Sequence, residues 1–192
     1  MVGVANPMLR HDRRAGLRFL GGYAAGVLAS SLVLGLVLRA GGTALAAHVG
    51  AGARTAAAIA VLFVLGVLDA LGRTPQARRQ VPQRFVRVLP PAFLGIVFGV
   101  DIGLVLTTRR TSSLVSGAVV GVALVAPAWV LPAMVAIGLT TALVAVVPAF
   151  AMDAPRLVAG VMRPVGAVRL RTLSAVLLVT AAALFAAGVV GA

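Results

Sequence analysis

The chain has 192 residues, of which 61% are hydrophobic and 11% charged, with a mean hydropathy of +1.10 and a net charge of +13. A soluble domain carries about a quarter charged residues, so this chain has too little polar surface to cover a core, and lipid must be the solvent for most of it. The absence of cysteine excludes disulfides, thiolate metal sites and thiol redox chemistry.

The N-terminus is basic, with Arg10, Arg13, Arg14 and Arg18, and an apolar run from Phe19 to Leu38 follows. That run is longer than the apolar core of a signal peptide, and Arg39 separates it from the cleavage-like Ala44-Leu45-Ala46, so it reads as an uncleaved first span. A second span covers about residues 55–71. The stretch from Gly72 to Arg87 holds two prolines and five arginines and reads as a loop on the cytoplasmic leaflet, where arginine meets anionic lipid. A third apolar segment, Ala92 to Leu106, is short and carries Asp101, and the polar cluster Thr107 to Ser113 closes it. Two further spans read as 114–131 and 133–151, with Pro127 and Pro132 bracketing a tight turn and Trp129 at the membrane–water interface. Residues 153–171 are basic, broken by Pro155 and Pro164, and should lie along the interface. The last span covers about 172–190.

The expected fold is therefore all-α: one transmembrane domain over residues 1–192, with five to six membrane segments. Arginine placement separates the two counts. If the third segment crosses, nine arginines lie inside and eight outside, which is no bias. If it dips in and returns, fifteen of the seventeen lie inside and only Arg39 and Arg54 outside, as the positive-inside rule favours. The segment's shortness and the glycines at 95, 99 and 103 agree with a broken or re-entrant piece near 92–107. The N-terminus is then cytoplasmic. The basic charge sits in short loops rather than on one amphipathic surface, so nucleic acid is not the expected partner. All basic residues being Arg and all acids Asp, with abundant Ala, Val and Gly, points to GC-rich bacterial coding and so to a prokaryotic inner membrane.

Gly22/Gly26, Gly95/Gly99/Gly103 and Gly117/Gly121 are spaced by four, which brings glycines to one helix face where backbones approach closely. Packing within the chain is the ordinary reading, and a dimer face the alternative. Asp101 is the residue to single out. A mid-span Asp costs about 2.5–3.5 kcal/mol on insertion scales, and two residues place it roughly 200° around a helix from Gly99 and Gly103. Asp101, with Gly99 and Gly103, reads either as an intramembrane proton, cation or substrate site, or as a structural acid paired with Arg109 or Arg110 or capping a broken helix. Asp69, four residues before Arg73, reads as a surface ion pair. Thr107, Thr108, Arg109 and Arg110 suit an anion or a solvated boundary. His11 and His48 lie outside the apolar runs, which argues against an intramembrane haem. The sequence has no catalytic or metal-binding constellation and implies no cofactor.

The run from Phe19 to Val27 echoes Phe93 to Val100 with a one-residue gap, as internal repeats of transporter folds do. Through Phe93-Leu94-Gly95, Gly99 and Gly103, residues 88–150 resemble the DsbD/CcdA-type cytochrome-biogenesis membrane family. The resemblance implies two three-helix repeats with broken first helices. The family's paired cysteines are absent, so its thiol–disulfide electron transfer is not implied and no functional residue carries over. Three functions follow as expectations. The first is a small transporter or exporter-like protein built on Asp101. The second is a non-catalytic membrane subunit or scaffold with a protein partner or a second copy of itself. The third is a lipid-acting enzyme.

Overall fold

The structure, a computed structural model, describes residues 8–9, 11–73, 85, 88–104, 113–150 and 164–190. Among these residues it is all helical. We number the helices α1 (Arg13–His48), α2 (Ala51–Ala70), α3 (Pro91–Gly103), α4 (Leu114–Val125), α5 (Val130–Ala149) and α6 (Pro164–Val190), with a single 3₁₀ turn at Pro127–Trp129.

Local chemistry sets the ends. The side chain of Asp12 caps α1, accepting from the N–H groups of Arg14 (2.9 Å) and Ala15 (3.1 Å). This helix therefore begins within the basic segment and extends beyond the apolar run on both sides. Helix α3 begins on a proline, whose missing N–H costs nothing in the first turn. In α6 Arg169 and Arg171 are helical, where the sequence suggests a broken interfacial stretch. Pro127 stops α4 at Val125, short of the expected 131. Pro132 does not bound a turn; it lies in the first turn of α5.

Three segments, Arg13–His48, Ala51–Ala70 and Pro127–Val147, are long and apolar enough to cross a membrane. Phe63, Val64, Leu143, Val144 and Val147 on them are exposed, as lipid-facing residues would be. The 13 residues of α3 and the 12 of α4 are apolar but short. At 1.5 Å per residue they reach about 18–20 Å, against a hydrocarbon core of about 30 Å.

The chain divides into two compact units, each assembled from three stretches. The first comprises Met1–Leu34, Ala77–Arg109 and Met134–Arg163, and the second Gly35–Gln76, Arg110–Ala133 and Pro164–Ala192. In the first unit, α3 lies along the opening turns of α1 and runs in the same direction, since Gly22 faces Ala92, Gly26 faces Ile96 and Gly103 faces Ser30. There α5 runs the opposite way: Gly138 meets Ser31 and Leu28, while Ala149 joins Phe19, Leu20 and Leu94 in one apolar cluster. In the second unit α2 packs most extensively on α6 and then on α4. Leu62, Leu178 and Ala182 form its core.

Candidate functional site

The second unit holds a buried carboxylate. The buried face of α2 is the stripe Ala58, Leu62, Gly66 and Asp69, and Asp69 is only 1% exposed. Its Oδ2 accepts from the Ser113 backbone N–H (2.7 Å) and from the Ser174 hydroxyl (2.6 Å). Its Oδ1 accepts from the Ser113 hydroxyl (2.9 Å). Both serines are buried. Ser113 precedes the first turn of α4, and its hydroxyl goes to Asp69 instead of capping its own helix. The carboxylate thus sits at the N-terminal end of α4, where free N–H groups and the helix dipole favour an anion.

The surface pair with Arg73 expected for Asp69 does not form, because the helix has ended before Arg73. Gly72 adopts φ +69°, a left-handed conformation that favours glycine, and its N–H bonds the Asp69 carbonyl (3.0 Å) while the Arg73 N–H bonds that of Leu68 (2.8 Å). This reversal carries Arg73 out of the i,i+4 position. Arg171 comes near instead: its Nη1 lies 3.6 Å from where a Cβ on Gly72 would stand. The signal for a buried Asp69 is in the sequence, since it follows Gly66 on the Ala58–Leu62–Gly66 stripe.

The other end of α4 is held by the same neighbour. Arg54, in the first turns of α2, donates from Nη1 to the Leu124 carbonyl (3.1 Å), placing a cation at a helix C-terminus. Its Nε is buried and has no hydrogen-bond partner. Fifteen helical residues separate Arg54 from Asp69, about 22 Å, which spans the roughly 18 Å of α4. One helix therefore brackets the short one with an acid at its start and a base at its end.

In the first unit the glycines face backbone. A Cβ on Gly95 would strike the Phe19 carbonyl, one on Gly99 the Tyr23 carbonyl, and one on Gly103 the Ser30 hydroxyl. On the opposing helix, Gly22 and Gly26 meet the carbonyls of Ala92 and Ile96. Such contacts admit no side chain. Gly117 and Gly121, in the second unit, meet side chains of Leu62, Leu65 and Leu178. Asp101 is half-buried on α3, off the glycine ridge. Thr107, Thr108, Arg109 and Arg110 lie outside the described residues. No group of three or more metal-ligating side chains occurs among the described residues.

Among the described residues these features define a class: all-helical, with apolar helices long enough to cross a membrane, two short helices, and a buried acid that accepts from Ser113 and Ser174. The chain matches no protein-family model, no curated protein and no solved structure.

Proposed function

We propose that this is a transporter-type integral membrane protein of five spans, in which α4 crosses together with the 3₁₀ turn Pro127–Trp129 that follows it, and α3 enters the membrane and returns to the face it came from. The observation that carries this reading is the meeting of Asp69, Ser113 and Ser174, which gathers the end of α2, the start of α4 and the Ser174 turn of α6 at one place in the second unit. A full crossing by α3 would set α2 and α4 running the same way, so their opposite course supports the five-span reading. This arrangement puts Arg73, Arg169 and Arg171 on one side and Arg54 on the other, in line with the positive-inside rule. That side faces the cytoplasm, where exposed Arg73 and Arg169 meet the phosphates of anionic lipid. Short helices whose ends are held by polar groups inside a membrane are the construction transporters use at their sites.

Asp69 is buried and accepts from Ser113 and Ser174, so we assign it to holding the second unit together, and we assign the transported proton, cation or substrate contact to Asp101 on the apolar α3. The borrowed two-repeat architecture of the DsbD/CcdA-type proteins is compatible with this reading, without their thiol chemistry.

Two measurements test the proposal. The cysteine-free chain accepts single cysteines at Thr111 and Gly160, and an impermeant thiol reagent applied to intact cells should label neither until the cells are lysed. Labelling from outside would establish six crossings. In liposomes loaded with a pH-sensitive dye, an imposed cation or pH gradient should dissipate faster with the protein than without it, and Asp101→Asn should remove the difference. Flux unchanged by that substitution would remove Asp101 from the function.

A further inference from the structure

We infer that the end of the second unit, where α2 gives way to Arg73, is a binding site for an anionic phospholipid, its phosphate held between Arg73 and Arg171 and its chains lying on the exposed apolar residues beside them. Helices α2 and α6 run antiparallel and in step. Gly66 meets Leu178 and Val179, Asp69 accepts from Ser174, and Arg171 reaches Gly72, its Nη1 3.6 Å from where a Cβ would stand. This last contact brings two sequence boundaries to one level. From Thr55 to Leu71 the only charged residue is Asp69, and from Thr172 to Ala192 there is none. Both helices therefore exchange lipid for water at the same depth, at Gly72 and Arg171.

The chemistry at that depth suits a phospholipid. Gly72 turns the chain back with φ +69°, so Arg73 leaves α2 where Arg171 arrives from α6. Two guanidinium groups beside one turn repel each other, and an anion between them turns that repulsion into attraction. A lipid phosphate has two free oxygens, enough to accept from both arginines. The second unit has little anion of its own. It carries arginines at 39, 54, 73, 110, 169 and 171 and a single acid, Asp69, which is buried and accepts from Ser113 and Ser174. The acyl chains have a surface as well, since Leu71 on the α2 side and Val168 and Leu170 on α6 are exposed beside the two arginines. A free phosphate would leave that apolar surface unused, so the ligand that fits is a phospholipid. Arg169 is also exposed, but it stands about 200° round α6 from Arg171, on the far side of that helix.

The site rests on the membrane reading above, though on neither transport nor the number of spans. The melting temperature of the full-length protein in a neutral detergent tests it, so its failure is distinct from failure of the labelling or flux measurements. Added phosphatidylglycerol should raise the melting temperature by about 4 °C or more, and phosphatidylcholine or inorganic phosphate at the same concentration by less than about 1 °C. Arg73→Gln and Arg171→Gln should each lose at least about half of that rise, while Arg169→Gln keeps it. Should Arg171→Gln fail to fold, Arg73→Gln against Arg169→Gln decides by itself. The proposal is overturned if phosphatidylglycerol gives no rise, or if phosphatidylcholine or inorganic phosphate gives an equal one. An equal loss in Arg169→Gln and Arg73→Gln overturns it too, because diffuse surface charge then accounts for the binding.

Discussion

In the first unit two helices meet through glycine. Backbone touches backbone, and the contact surfaces of α1 and α3 present no side chain at the points of closest approach between Gly22 and Gly99. In the second unit α2 holds its neighbours by charge and hydrogen bonds, with Asp69 at one end of α4 and Arg54 at the other. The difference follows from what each helix must satisfy. In lipid no water is available to complete an exposed backbone group. Between Gly95 and Gly103, α3 needs only a close fit, and glycine supplies it through dispersion and weak Cα–H contacts. Every helix leaves unpaired N–H and C=O groups at its ends, and at α4 the Ser113 N–H and the Leu124 carbonyl find theirs on α2.

The comparison is broken most severely at Asp69. Asp69→Ala removes the acceptor for one N–H and two buried hydroxyls at once, and the second unit should lose about 3–5 kcal/mol, read as a fall in thermal stability in detergent. Ser174→Ala should cost about 1 kcal/mol, and much less in the Asp69→Ala background. Equal costs in the two backgrounds would mean that the bond does not form.

Next in size is the glycine interlock. Gly95→Ala and Gly99→Ala each place a methyl group against a carbonyl of α1, and backbone yields less readily than a side chain. Each should cost about 1–3 kcal/mol, with Gly22→Ala and Gly26→Ala in the same range. Alanine tolerated at all four positions would mean that the helices stand further apart. Arg54→Gln should be milder, about 1 kcal/mol, because it loses one bond to the end of α4 but also releases a buried Nε from its unsatisfied state.

How much of this is legible in the sequence differs between the units. Glycine spacing is a property of sequence alone, and the apolar runs mark the helices. The direction of α4 against α2 is a tertiary fact, on which the sequence bears only indirectly, through the arginine distribution and the shortness and glycines of the third apolar segment. An i,i+4 pair for Asp69 presumes that the helix continues, and Gly72 ends it before Arg73. The polar partners are hydroxyls 44 and 105 residues away, and no local pattern marks a serine that will meet a particular carboxylate. Pro132 suggests a turn because proline breaks a helix interior, but within a first turn it costs nothing.

The smallest effect sharpens the comparison most, because it separates glycine needed for approach from glycine that is only present. Gly117 and Gly121 share one face of α4 and the same four-residue spacing. A Cβ on Gly117 would come within 2.8 Å of Leu178 Cδ2, the mobile end of a side chain, whereas one on Gly121 would meet Leu62 at 3.8 Å, an ordinary contact. Gly121→Ala therefore fills space without displacing anything and relieves the conformational freedom that glycine loses in a helix. It should stabilise the protein by about 0.5–1 kcal/mol, with Gly117→Ala near zero as Leu178 shifts. The same substitution then has opposite signs at Gly121 and at Gly99, though both belong to identical spacing motifs. A loss of stability at Gly121 as large as at Gly99 would mean that α4, too, is held by close backbone approach, and the distinction between the two units would go with it.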